Sequence, residues 1–529
     1  MNFNILLTNG RIFDGNGNPW YHGDLGIKDG QIREIDRNPT GQKDAKRTLD
    51  LEGKALSPGF IDIHSHSDCN FLADRRAASK IRQGVTTELV GNCGVSAVPF
   101  SQELNFSERI FEEIGEIDWN NFAEFFTRLE DHGLPINLGS LVGHGSLRVD
   151  VMGYEDREPT DHELDEMKEI LDKSLTAGAF GLSTGLYYAP GSYADTEEIV
   201  ELARVVSDHG GIYTSHIRNE GKELISAVEE AITIGEKADL PVEISHHKAV
   251  GKENWGKVTQ SLEIIRAARE RGVEVTADQY PYNASSTSLS SLLPGWAKQG
   301  GREKWLARIQ DPKESEKIKE ELGSTNEAEV DWSAIKIVEM PDKCNQELLG
   351  KSVQEIASER GTDVLQTALD LLLESDGKAS QIHFGISEED IKTVMAQPFV
   401  MTCSDGSSLR PEGPLGKGKP HPRSYGTFPR VFGKYVREEN VLAIEDAIRK
   451  MTSLPAQKIG LKRKGQIREG MDADLVAFSP QEIEDKATFQ DPHRYPEGIS
   501  YVIVNGKIAV ENGDGVECSA GRVLKSGKA

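Results

Sequence analysis

Six side chains of the kinds that hold metal ions recur along the chain, each close to the end of a short apolar run. His64 and His66 end Phe60 to Ile63, and Cys93 follows Thr86 to Val90. His216 follows Gly211 to Thr214, His246 follows Val242 to Ser245, and Asp405 follows Phe399 to Thr402. Imidazole, thiolate and carboxylate all suit zinc and related ions, and six donors suffice for two ions that share a bridge. Taken alone, His64-Ser65-His66 has two readings. Strand side chains alternate faces, so the pair could share an ion, or it could simply close a strand. Recurrence at strand ends hundreds of residues apart favours the metal. A bound zinc lowers the pKa of water from about 15.7 to about 7 and polarises a carbonyl oxygen. Metal-assisted hydrolysis uses both, with a group that carries the water proton to the leaving atom. Asp405 stands beside the ligands and is expected to be that shuttle, a ligand, or both.

Such donors need a scaffold that gathers strand ends. Eight apolar runs read as strands: the five above, with Ile136 to Val142, Phe180 to Ser183 and Val273 to Ala277. Amphipathic stretches such as Glu197 to His209, Glu223 to Ala238 and Val258 to Arg271 lie between them. Strand–helix alternation reaching eight predicts an α/β chain with a (β/α)8 TIM barrel, whose site lies at the C-terminal strand ends. More than a hundred residues separate the seventh and eighth strands, too many for a loop. An inserted subdomain over about 285–395, covering the site, is expected there. Turn dipeptides such as Asp14-Gly15 and Asn505-Gly506 punctuate short strands at both ends of the chain. These predict one small β-sandwich-like domain from 1–55 and 455–529, around a barrel spanning 56–454.

The totals exclude several classes. Of 529 residues, 37% are hydrophobic and 28% charged, which suits a globular protein with a sizeable core. A net charge of -25 argues against a nucleic-acid partner. Five scattered cysteines form no disulfide framework, and no signal peptide or membrane-spanning run is apparent, so a cytoplasmic protein without a membrane partner is expected. Asn105-Phe106-Ser107 and Asn283-Ala284-Ser285 are read as chance matches to the glycosylation pattern. Nothing sets the oligomeric state.

The strand-end ligands, with Gly91-Asn92-Cys93-Gly94, Thr214-Ser215-His216-Ile217-Arg218-Asn219-Glu220, Ser245-His246-His247-Lys248 and His421-Pro422-Arg423-Ser424-Tyr425-Gly426, resemble the amidohydrolase superfamily, and within it the D-aminoacylases, the N-acyl-D-amino-acid deacylases. The resemblance implies a zinc held tightly by Cys93, His216 and His246, with Cys93 in place of a carboxylated lysine. It implies a second, weaker divalent site at His64, His66 and Asp405. His246 rather than His247 is taken as the ligand because the family motif places the ligand first. The implied reaction is attack of metal-bound hydroxide on an N-acyl-D-amino acid, a small-molecule substrate, with Asp405 as shuttle. Lys248, Arg423, Tyr282 and Ser286 would hold the substrate carboxylate, and His144 is a candidate pocket residue. A cyclic amidase of the hydantoinase or dihydroorotase kind is the first alternative, but Leu182-Ser183-Thr184-Gly185 supplies no bridging lysine. An inactive barrel used for binding is the remote alternative, opposed by six retained donors.

Overall fold

The computed structural model describes residues 2–39, 43–100, 108–326, 331–516 and 518–527, so Asn105-Phe106-Ser107 lies outside the described residues. Both ends of the chain enter one nine-stranded sheet. Ala55–Pro58 pairs in parallel with Phe3–Ile12 and antiparallel with Leu475–Phe478, which joins the two ends. Ile5, Leu7, Leu25, Ile27, Leu475 and Ile503 form its own apolar cluster.

Eight parallel strands follow around a barrel: Phe60–Asp62, Val85–Val90, Asn137–Ser140 continued by Val142–Gly143, Gly181–Gly185, Ile212–His216, Val242–Ile244, Val275–Gln279 and Val400–Thr402. Their residues are buried throughout, as continuous apolar runs covered by helices should be. Neighbouring strands are joined by parallel ladders, with one register shift, between Phe60 and Ile61 in the first. The first and eighth strands meet differently, through one parallel bridge, Ser65 to Gly406, and the bonds Asp405 N–H to His64 O (2.9 Å) and His66 N–H to Gly406 O (3.1 Å).

The insertion carries a three-stranded antiparallel sheet, with Ser380–His383 between Ser285–Ser288 and Ile335–Glu339. Helices Arg302–Gln310, Pro312–Asn326, Val353–Arg360 and Val364–Glu374 pack around Trp305, Ile337 and Leu369, a core separate from the barrel's. Helix Glu388–Met395 instead buries Ile391 and Val394 in the barrel core. The inserted unit therefore ends ahead of this helix, short of residue 395, because the amphipathic stretch there is a barrel helix.

Candidate metal centre and substrate cavity

Of the six donors His216 alone lies within its strand, and the others stand beyond a strand end. Cys93, His246 and Asp405 all have left-handed backbones, with φ of 53°, 35° and 48°. Such conformations cost an L-residue of order 1–3 kcal/mol each and persist where surroundings hold them. His246 is held by its own N–H, which donates to Asp278 Oδ1 at 2.6 Å. Ahead of Cys93, Gly91 also has positive φ, and a Cβ there would meet Leu141 O at 2.3 Å, so the turn requires glycine. The first strand ends at Asp62, so His64 and His66 lie beyond its ladder rather than alternating within it. Their rings nevertheless stand 5.3 Å apart.

The donors converge. Cys93 Sγ lies 3.3 Å from His64 Nε2, 3.6 Å from His216 Nδ1 and 3.4 Å from His246 Nε2. Asp405 Oδ1 lies 3.0 Å from His66 Nε2 and 3.4 Å from His64 Nε2. Ligand atoms of His64, Cys93, His246 and Asp405 all fall within 4.8 Å of one another, and so do those of His216, Glu220 and His246. Burial opposes charge here, yet His64 and His246 hold the Cys93 thiol well below its ordinary range. Asp405 is likewise held well below the usual carboxylate range, with burial outweighed by Arg423 and His246. In return, and against burial, Asp405 and Cys93 push His66 up to about 9. The histidines favour the charged forms of a thiol and a carboxylate, the positions a divalent cation would neutralise. This donor set fits zinc.

Two acidic groups that the sequence reading left unassigned stand behind these ligands. Glu220 Oε1 lies 3.0 Å from His246 Nδ1 and accepts from Lys248 Nζ at 2.5 Å, while its Oε2 lies 3.9 Å from His216 Nε2. Burial disfavours its charge, but Lys248, His216 and His246 hold its pKa low. A carboxylate on the far nitrogen fixes which nitrogen of an imidazole faces the metal. Its signal was its place four residues after His216. Asp278 Oδ2 faces His64 Nδ1 at 3.5 Å, and Asp278 Oδ1 accepts from Cys403 Sγ at 3.0 Å.

The cluster forms the floor of a cavity of about 2310 Å³. That exceeds the 300–1,000 Å³ or so of ordinary ligand pockets, because the insertion walls it with Ser286, Ser288, Gln381 and His383. Arg423 and Lys248 also line it, each already paired, Arg423 Nη1 with Asp405 Oδ2 at 2.7 Å and Lys248 with Glu220. The Ser286 carbonyl accepts from Arg423 Nη2 at 3.3 Å. Two expected pocket residues are elsewhere. Tyr282 is buried against His421 and Phe489. Its N–H bonds back to Tyr280 O at 3.0 Å, so the chain turns and the two tyrosines diverge. Tyr280 takes the cavity position, with Arg423 4.9 Å and Lys248 5.5 Å from its ring centre. His144 is fully buried, its Nε2 2.8 Å from Glu198 Oε1, in a group shared with Arg148. Its imidazole is used inside the fold. His64 is also fully buried beneath the rim, out of reach of a substrate. His247 is buried on Ser261 (2.8 Å), which leaves His246 alone of that pair in the cluster.

Comparison with known proteins adds to this geometry. The family model described as "Amidohydrolase family" matches residues 47–281 and 352–510. The chain is 35% identical over 526 residues to the D-aminoacylase of Alcaligenes xylosoxydans xylosoxydans, covering 99% of this chain and 97% of that protein. It superposes with TM-score 0.83 and 34% identity on the N-acyl-D-glutamate deacylase of Bordetella bronchiseptica, solved with zinc and a phosphonate inhibitor that mimics the tetrahedral intermediate, over 99% of this chain and 100% of that one. A D-aminoacylase whose binuclear metal centre is described by one-metal activation and second-metal attenuation matches with TM-score 0.83, 34% identity and the same coverage.

Proposed function

The chain belongs to the amidohydrolase family, in its D-aminoacylase branch, and on that premise we propose that it hydrolyses N-acyl-D-amino acids to a carboxylate and a free D-amino acid. One observation carries this reading: the Cys93 sulfur, shared among three histidines, stands beside an aspartate that is itself paired with an arginine.

Cys93, His216 and His246 would hold one zinc tightly, and His64, His66 and Asp405 a second divalent ion more weakly. Zinc supplies a polarised carbonyl and an acidified water. The chain's own residues do the rest. Asp405, kept ionised, takes the proton of the attacking water and returns it to the leaving nitrogen. Arg423 and Lys248 present cationic groups to the substrate carboxylate, with Ser286 beside them and Tyr280 in the place expected for Tyr282. Glu220 orients His246 and His216. The linear amide is favoured over a cyclic one because Cys93 stands among the ligands and Leu182-Ser183-Thr184-Gly185 offers no lysine to bridge two metals.

We divide the molecule into a β domain of 1–55 with 455–529, a barrel of 56–454 and an inserted cavity wall. Five free cysteines, one a metal ligand, suit a reducing compartment, and we place the protein in the cytoplasm with neither nucleic acid nor membrane as partner. Among the described residues no helix is long and apolar enough to cross a membrane. The test is a panel of N-acetyl-D- and N-acetyl-L-amino acids with release of free amine measured. Turnover of D forms is expected; turnover of L forms only, or of none, overturns the proposal.

A further inference from the structure

One turn of helix, Ala78–Ile81, lies between the first and second barrel strands. Its Lys80 is fully buried and has no face on the cavity. Lys80 Nζ lies 2.8 Å from Asp62 Oδ2, 2.9 Å from Glu88 Oε1, 2.7 Å from Ser404 Oγ and 3.0 Å from Gly406 O. Asp62 accepts Ser404 N–H at 2.9 Å and Ser404 Oγ–H at 2.6 Å. Ser404 Oγ also accepts Gly406 N–H at 3.0 Å. The residues on either side of Asp405 are thus tied to one ammonium and one carboxylate, while Asp405 itself is held in a left-handed backbone. Glu88 Oε2 accepts from Ser65 Oγ at 3.1 Å, so the same group reaches the residue between His64 and His66.

Nearby residues reach the chain beyond Asp405. Ser79 Oγ accepts Leu409 N–H at 2.9 Å, and Ser79 N–H donates to Leu409 O at 3.1 Å. Gln83 Nε2 donates to Ser424 O at 2.9 Å, next to Arg423. A buried ammonium costs several kcal/mol unless it is paired and hydrogen-bonded. Here Asp62, Ser404 and Gly406 belong to the two segments that carry His64, His66 and Asp405, while Glu88 lies on the second strand, ahead of Cys93.

We infer that Lys80 is a positioning residue for the reaction: without touching substrate or metal, it sets the backbone that aims Asp405 and joins it to the His64–His66 segment. This rests on the reading of Asp405 as proton carrier. The test uses Lys80→Met and Ser404→Ala in the full chain. Ser404→Ala keeps Lys80 paired with Asp62 and Glu88, so it reads position without stranding a buried charge. Both variants should lose about 10–100-fold in kcat with KM within about twofold, the range for partners that orient a metal site. Both should keep one zinc per chain through dialysis while binding a second equivalent, titrated as cobalt(II) and followed by its visible spectrum, about tenfold or more weakly. Wild-type kcat and second-ion affinity in Ser404→Ala would overturn the inference. So would equal loss of both ions with a lowered Tm in both variants, which would make Lys80 a fold-stabilising residue only. If the wild-type protein hydrolyses no N-acyl-D-amino acid, the functional proposal fails, and the second-ion titration still decides the role of Lys80.

Discussion

His216 and His246 close adjoining strands whose ladder is regular, Tyr213 opposite Val242 and Ser215 opposite Ile244, with Glu220 and Lys248 behind them. His64, His66 and Asp405 instead meet where the first and eighth strands share a single bridge. There, among the described residues, only two backbone bonds join the strands, and a side-chain network of Lys80, Asp62 and Ser404 lies behind them in place of a continuous ladder. A ladder fixes register through many repeated bonds. A side-chain network depends on every member being present and satisfied. The ladder-held half should therefore tolerate changes behind it better than the half at the seam. Cys93, within 3.6 Å of a histidine on each side, belongs to both.

Cys93→Ala should cause the largest loss, because it removes the shared atom. Metal analysis after dialysis should find no tightly held zinc, and amine release should fall by more than the 10–100-fold or so that outer partners cost. Retained stoichiometric zinc would break the comparison. Asp405→Asn should lower kcat by about 10²–10⁴-fold while the tight zinc stays. Near-normal turnover in that variant would remove Asp405 from its role. Arg423→Met should reduce kcat/KM by about 100-fold for an N-acyl amino acid, about 2.7 kcal/mol of transition-state stabilisation, and far less for the corresponding amide. Equal losses on the two substrates would mean that Arg423 serves only its ion pair with Asp405. Glu220→Gln, behind the ladder-held half, should weaken zinc by about tenfold, measured by competition with a chelator.

A last expectation concerns pH. His66 must lose a proton to bind an ion, and that proton is held up to about 9. Metal uptake at the seam should therefore strengthen as pH rises and level off near 9, the sign for a raised histidine pKa. Uptake independent of pH between about 6 and 9, by calorimetric titration at several pH values across that range, would show that His66 is not a ligand.

Much of the site was legible because its signals are local. Donor type at a strand end is visible from a few residues, as in Asn92-Cys93-Gly94 or Ser404-Asp405-Gly406. Tyr282 was implied by the resemblance alone; a linear motif shows no turn, and Tyr282 N–H bonds back to Tyr280 O where Tyr280 lines the cavity. His144 looked available at a strand end, but its partner Glu198 lies 54 residues on, across a helix. Lys80 drew no notice, since a lone lysine on a short helix is ordinarily solvated.

The amino-acid sequence by itself determined the alternation of eight apolar runs with amphipathic helices, the stretch too long to be a loop, and the chemical kinds of the six donors. Those follow from side-chain chemistry and from periods of two and 3.6 residues, which act over short spans. Only the tertiary structure decided that three donors adopt left-handed backbones, that Cys93 is shared, and that a lysine 324 residues from Ser404 holds the segment bearing Asp405. Those depend on which distant strand ends meet, and pairing across the barrel seam has no period along the chain.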